Sequence, residues 1–315
     1  MKSCNSCKRM ASNIEQKLPN NGLGMKLVDS IRYVGFKTTG RLPSPKGLAS
    51  AVISLLQGDD YNIDELVRLI QSDPAIAGEL LKFSNAANFG HSSPIVSIPK
   101  AVIALGTRQV SIIVSAFSVL RSHRMGKCTP FDYEKFWSRA LATAISAQAL
   151  ASYTKFNAEE NFTAGLLCSL GELALASVYP DSYGEIISKS DDRHNRIKLE
   201  QEAFGCDHRE LGATLVLEWG LPLKLVTAIC HCEAPDEAGF QEGSRIHELT
   251  LSLHVALTLA DICVADGAAR KEMLPSLYAK AARLGISAEE INSTAGDIIA
   301  NWKEWGKQLK IQVLC

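Results

Sequence analysis

From Gly47 onward, apolar residues recur at three- and four-residue spacing almost without pause, the signature of helices with one buried face. In NIDELVRLIQSD, Asn62 and Glu65 stand at capping-box spacing, and Ile63, Leu66, Val67 and Ile70 fall on one face. DPAIAGELLKFSNAAN opens with Pro74 at a first helical position and is expected to bury Ile76, Leu80, Phe83 and Ala87 before Gly90 and Pro94 break it. Ser97 is placed to cap a short helix that stops at Gly106, and TRQVSIIVSAFSVLRSHRM begins the next. Asp132 is placed to cap YEKFWSRALATAISAQALASY, and Asn157 with Glu160 the helix leading into GLLCSLGELALASVYP, which reads as buried with a small polar interruption at Cys168 and Ser169. A helix with a more polar face follows at roughly 193–204. HRELGATLVLEWG ends at Gly220, Pro222 starts a helix running to His231, and the acidic, Gly-containing stretch 233–244 is a loop. Two or three helices fill 245–315, with Ser287 and Glu290 capping the last.

No stretch alternates with period two and no fixed-length repeat occurs. The predicted fold is all-α, a compact multi-helix bundle with short loops. Residues 1–40 are polar and weakly patterned, an N-terminal extension expected to be partly helical at best, and RLPSPKG marks its end.

With 46% apolar residues in 315, the chain can bury a sizeable core. A formal net charge of −1 gives no basic excess of the kind non-specific nucleic-acid binding needs. SIIVSAFSVL is short and LSLHVALTLADICV is broken by His254 and Asp261, so no membrane span is expected, and MKSCNSCKRM lacks the apolar stretch of a secretory signal. Nine cysteines, most in apolar helical runs, are expected to be reduced core residues of a cytoplasmic protein.

Leu42 to about Ala234 resembles the HDOD domain, the HD-related output domain of bacterial signalling proteins. The residues that carry the likeness are LPSP at 42–45, IQSDPAIAGELLKFSNAANFG at 70–90 and PIVSIPKAVIALGTRQV at 94–110. FWSRALATA, GLLCSLGELAL, DHRELGATLVLEWGLP and AICH continue it. The resemblance implies an N-terminal helical half (41–128) packed on a half similar to HD phosphohydrolases (129–235), the latter completed by C-terminal helices at 236–315. It also implies a role in regulation without a catalytic metal set.

HD hydrolases hold divalent metals through imidazoles and carboxylates from several helices, and the metal lowers the pKa of a bound water. At the positions the resemblance assigns to that set, the first His is Arg139, which is always charged and cannot ligate a cation. The His-Asp pair is Cys168-Ser169, the later Asp survives as Asp261, and the added His and His-His positions hold His208 and His231-Cys232. The expected site is therefore a vestigial pocket of Arg139, Cys168, Ser169, His208, His231 and Asp261, with no catalytic residue and no cofactor. Any residual divalent metal would fall to His208, His231 and Asp261. An Arg139–Asp261 salt bridge is expected to fill the space, because an aspartate in an apolar helix must be paired if buried.

Other candidates carry less. Asp207 with His208 reads as a capped helix start with a hydrogen-bonded imidazole, and His231 as a residue satisfied near a helix C-terminus. Cys230 and Cys232 lie on opposite faces of a helix and cannot share one ion there. Cys4-x-x-Cys7 is a lone pair without a second pair at metal-site spacing. SNAANFGHSSP at 84–94 is polar and loop-forming, either a helix end and turn or a partner-recognition surface carrying Ser84, Asn85, Asn88 and His91. The sequence thus points to a binding protein whose partners are other signalling proteins. The alternatives are a residual metal-dependent phosphohydrolase, or a sensor that binds a nucleotide or other anion through Arg139.

Overall fold

The computed structural model describes residues 27–58, 61–85, 94–190 and 192–313, which are all helix, turn and loop with no strand among them. The N-terminal part holds α1 (Ser30–Thr38), α2 (Leu48–Leu56), α3 (Ile63–Gln71), α4 (Pro74–Ser84), α5 (Ile98–Leu105) and α6 (Thr107–Ser122). The rest holds α7 (Tyr133–Ala149), α8 (Ala158–Leu167), α9 (Leu170–Val178), α10 (Pro180–Lys189), α11 (Arg193–Phe204), α12 (His208–Glu218), α13 (Leu223–His231), α14 (Arg245–Val264), α15 (Gly267–Ala282) and α16 (Ala288–Leu309).

Most helix starts follow the predicted caps. Asp132 accepts from the amide of Lys135, Asn157 from that of Glu160, and Asp207 and Ser287 form full capping boxes with Glu210 and Glu290. Asn62 instead caps α3 through the amide of Asp64, Ile63 stays half exposed, and Ser97 makes no side-chain cap bond. Cys168 and Ser169 divide the predicted GLLCSLGELALASVYP helix into α8 and α9.

One hydrophobic core runs from Val28 to Ile311. Phe83 of α4, Phe162 of α8 and Trp305 of α16 meet edge-on or tilted, with centroids 5.1–6.3 Å apart, so the N-terminal helices, the central helices and the last helix share one cluster. Trp302 of α16 donates to the carbonyl of Ser138 in α7 at 2.9 Å. Closest approach comes where glycine removes the side chain. A Cβ on Gly171 of α9 would lie 1.7 Å from the carbonyl oxygen of His208, and one on Gly165 of α8 would lie 2.8 Å from that of Thr143.

Two features depart from the sequence reading. Within the supposed extension, Val28, Tyr33 and Phe36 are core residues; Tyr33 donates to Glu218 at 2.6 Å, and the amide of Val28 to Thr214 at 3.1 Å. Two aromatics in nine residues are too few to register as a period, but they suffice to dock α1 on α12. By length and composition, 158–178 and 245–264 are apolar enough to cross a membrane, contrary to expectation. Their apolar windows are 94% and 67% buried inside the protein, so much of that apolarity serves the core.

Candidate functional site

Five helices and the turn after α13 bring charges together beneath an open cleft of about 500 Å³. Arg139 rises from the middle of α7. Its Nε donates to Asp261 of α14 at 2.5 Å, and its Nη1 donates to the Ser169 hydroxyl at 3.0 Å. The same Nη1 lies 3.7 Å from Glu172 of α9.

The N-terminal turns of α11 supply two more guanidiniums. Arg193 lies 3.4 Å from Glu233 and 3.8 Å from Asp261, while Arg196 lies 3.5 Å from Glu172 and 4.0 Å from Glu200. Arg193, Arg196 and Glu200 share one face of α11 because they are three and four residues apart. His208, at the first position of α12 and buried, bonds Glu200 through Nδ1 at 2.6 Å and Glu233 through Nε2 at 3.2 Å. Its backbone N–H donates to Glu200 at 2.9 Å, which fixes the start of the helix against the same carboxylate.

The electrostatics are self-consistent. Burial alone would depress the His208 pKa, but Glu200 and Glu233 outweigh it and raise it to about 10, so the ring is an imidazolium at neutral pH. Burial pushes the Glu172, Glu233 and Asp261 carboxyls up, yet the facing cations hold all three below their ordinary values: Arg196 and Arg139 for Glu172, Arg193 and His208 for Glu233, and Arg139 and Arg193 for Asp261. Arg139 is in turn raised against its burial, chiefly by Asp261 and Glu172. Four carboxylates thus face three guanidiniums and one imidazolium, and the network is formally neutral.

A divalent metal fits this set poorly. One ligand atom each from Glu172, His208 and Glu233 lies within 4.8 Å of the others, and the Glu200–His208 bond resembles the carboxylate–imidazole pairing found behind metal-bound histidines. But those carboxylates are already matched by Arg139, Arg193 and Arg196, and the only imidazole is doubly bonded and protonated. Exchanging the His208 proton for a dication would leave the buried network with a net positive charge, which is costly away from water.

The predicted site residues separate into three groups. Arg139, Ser169, His208 and Asp261 lie in the network. Cys168 and Cys232 lie beside it, each thiol donating to a carbonyl of its own helix, Gly165 and Ile229, at 3.1 Å. His231 stands apart, with Nδ1 at 3.0 Å from the carbonyl of Thr227 and its ring edge-on to Phe240. Glu172, Arg193, Arg196, Glu200 and Glu233 were not singled out from the sequence. The R-x-x-R-x-x-x-E spacing of α11 was a usable signal, because it sets three charges on one helix face.

The predicted recognition surface at 84–94 is corrected in part. Ser84 is fully buried and donates to the carbonyl of Leu80, so it presents nothing to a partner. Asn85 is exposed, but its side chain bonds both the N–H and the carbonyl of Ile95, at 2.7 Å each, tying the end of α4 to the stretch that leads into α5. Asn88 and His91, like Ala87, Cys4 and Cys7, lie outside the described residues.

Comparison with known proteins agrees with this fold. The family model described as HDOD domain matches residues 42–235. Among solved structures, the MmoQ response regulator of Methylococcus capsulatus strain Bath is 31% identical, with 80% of this chain and 97% of that chain covered and a TM-score of 0.51. An HDOD domain protein of unknown function from Geobacter sulfurreducens is 20% identical, with 87% and 97% covered and a TM-score of 0.59. A protein of Shewanella amazonensis SB2B, provisionally named a phosphohydrolase, is 24% identical, with 87% and 97% covered and a TM-score of 0.62. The latter two likenesses concern the fold. An uncharacterized protein of Treponema pallidum (strain Nichols) is 29% identical over 180 residues, 55% of this chain; the match spans about a third of that curated relative's length.

Proposed function

The chain belongs to the HDOD domain family, and from that premise we propose that it is a regulatory protein that works by binding other signalling proteins, not by turnover. What carries this reading is Arg139. Its guanidinium reaches Asp261, Ser169 and Glu172 at once, and the first two occupy positions that the family resemblance gives to metal ligands. A permanent cation there repels a metal ion and takes up the carboxylates that would hold it. The remaining charges close around it into a neutral set, as a structural ion network does and a hydrolytic centre with an open coordination position does not. The buried thiols of Cys128, Cys168, Cys206 and Cys232 suit a reducing compartment.

The test is metal analysis of purified protein together with phosphodiesterase assays on bis-p-nitrophenyl phosphate, with and without added Mn²⁺. The expected result is substoichiometric metal and no Mn²⁺-dependent rate. Stoichiometric bound metal, with a rate abolished by His208→Ala, would establish a phosphohydrolase built on Glu172, His208 and Glu233 and overturn the proposal. Partner binding is tested separately by co-purification from the native cell. The expected result is recovery of a defined signalling protein, confirmed with both partners purified.

A further inference from the structure

Away from the ion network, the end of α6, the first turns of α7 and the end of α16 enclose an open groove of about 410 Å³. Its apolar lining is Leu120, Trp137 and Ile311, at most 8% exposed, with Met125, 73% exposed, beside them. The indole N–H of Trp137 donates to the carbonyl of His123 at 2.9 Å, which fixes the ring in place. Arg124 donates to the carbonyls of Leu309 and Lys310, so the segment after α6 is tied to the end of α16.

The charges of the groove are one-sided. Arg124, Lys307 and Lys310 line it against the single carboxylate of Glu134, a formal excess of two positive charges in a chain whose net charge is −1. Lysine ion pairs among the described residues are those of Lys37, Lys155 and Lys189, so the Lys307 and Lys310 ammoniums face solvent. Lys310 also departs from what its backbone favours. Its φ is 55°, and it is the one non-glycine residue with a positive φ among the described residues. It sits at the turn of a Schellman closure, in which the Ile311 amide returns to the carbonyl of Gly306 at 2.9 Å and its own amide to that of Lys307 at 3.4 Å. Glycine is least strained at that position. The fold therefore does not call for lysine there, whereas a ligand that needs an ammonium beside the groove does.

We propose that this groove docks an acidic segment of a partner protein, with one or two large apolar side chains seated on Leu120 and Trp137 and flanking carboxylates on Lys307 and Lys310. The inference rests on the reading of the chain as a protein that binds signalling partners, and it names the face and the partner's chemistry. The volume lies at the small end of the roughly 300–1,000 Å³ of ligand sites, which suits side chains entering from a segment. Buried apolar lining beneath exposed cations is the arrangement of a protein interface, with an apolar centre and a polar rim. A flat anionic lipid surface would use the cations and leave the lining unfilled.

The experiment titrates the full chain into a fluorescent acidic peptide with a central Trp-Leu pair. Two counterparts are run beside it, one with serines for the apolar pair and one with lysines for the acids. The acidic apolar peptide should bind, and added NaCl should weaken it. Both counterparts should bind at least about tenfold more weakly. A benzophenone in place of the peptide's Trp should cross-link to residues within 120–125, 137 or 306–312. Lys307→Glu and Met125→Glu, both at exposed positions, should each weaken binding about tenfold, while Lys224→Glu on α13 should not. Lys310→Gly should weaken it about fivefold and leave Tm unchanged or raise it by about 1–2 °C, because the left-handed turn is relieved. A fall in Tm on Lys310→Gly with binding kept would assign the lysine to the fold and overturn the proposal. Equal binding of the serine peptide, cross-links elsewhere, preference for phosphatidylglycerol vesicles, or no binding at all would also overturn it. Loss of the groove would leave the metal and phosphodiesterase results as they stand, and an active phosphohydrolase would leave peptide binding to be read directly, so the two failures are distinct.

Discussion

Replacing Arg139 by Met keeps an unbranched side chain of similar length, so packing changes little and the charge is removed. Asp261, its side chain 30% exposed, keeps only Arg193 at 3.8 Å, and Glu172 keeps Arg196 at 3.5 Å. A unit charge pair near 4 Å contributes about 4 kcal/mol at an effective dielectric of 20. Desolvation of the pair cancels much of that in the intact protein, but removal of one partner leaves the other's desolvation unopposed, at a typical cost of about 3–5 kcal/mol. Partial access of Asp261 to water and its second guanidinium favour the low end, about 3 kcal/mol. At roughly 2 °C per kcal/mol for a chain of this size, Tm should fall by about 6 °C. The pH dependence identifies the cause. Asp261 has a folded-state pKa lowered mainly by Arg139, and Glu172 one lowered by Arg196 and then Arg139, so their stabilisation is present above the unfolded carboxylate pKa near 4 and is lost as pH falls through the lower folded values. The gap between wild type and Arg139→Met should therefore be widest above about pH 5 and narrow below about pH 4. Adding Asp261→Asn to Arg139→Met should recover at least about 1 kcal/mol relative to additivity. Urea titrations of the four proteins from pH 3 to 8 measure all of this. A cost below about 1 kcal/mol that stays flat with pH would refute the ion-network account.

Three further outcomes follow from the same geometry. His208 has a folded pKa raised to about 10, so its stabilisation is fully present below the unfolded value near 6.5 and is lost as pH rises toward 10; wild type should lose a few kcal/mol between pH 7 and 10, and His208→Gln should show a flatter profile in the same urea titrations. Gly171→Ala sets a methyl 1.7 Å from the His208 carbonyl oxygen, against backbone that cannot turn aside, and should cost about 3 kcal/mol or more by thermal melting. Tyr33→Ala removes a fully buried ring and its bond to Glu218 and should cost about 3–5 kcal/mol, whereas an appended segment that packs on nothing would give no change.

The difference between what the sequence shows and what it hides follows the range of the interactions. Helices are written locally: the caps at Asp132, Asn157, Asp207 and Ser287 lie within three residues of the amides they bind, and apolar spacing marks the face that packs. Arg139 is legible because the family resemblance sets it at a position given to a metal ligand, and an obligate cation cannot serve as one. Glu172, Glu200 and Glu233 are not, since a glutamate in a helix or at a helix end is ordinarily a solvated residue. Only the meeting of α9, α11 and the end of α13 makes them buried partners of Arg139, Arg196 and His208. That dependence constrains what the site can be. Arg139 meets only part of the charge of the four carboxylates, and Arg193, Arg196 and a protonated His208 make up the balance. Replacing Arg139 by His alone would therefore not create a metal centre, because three other cations would still compete for the same oxygens.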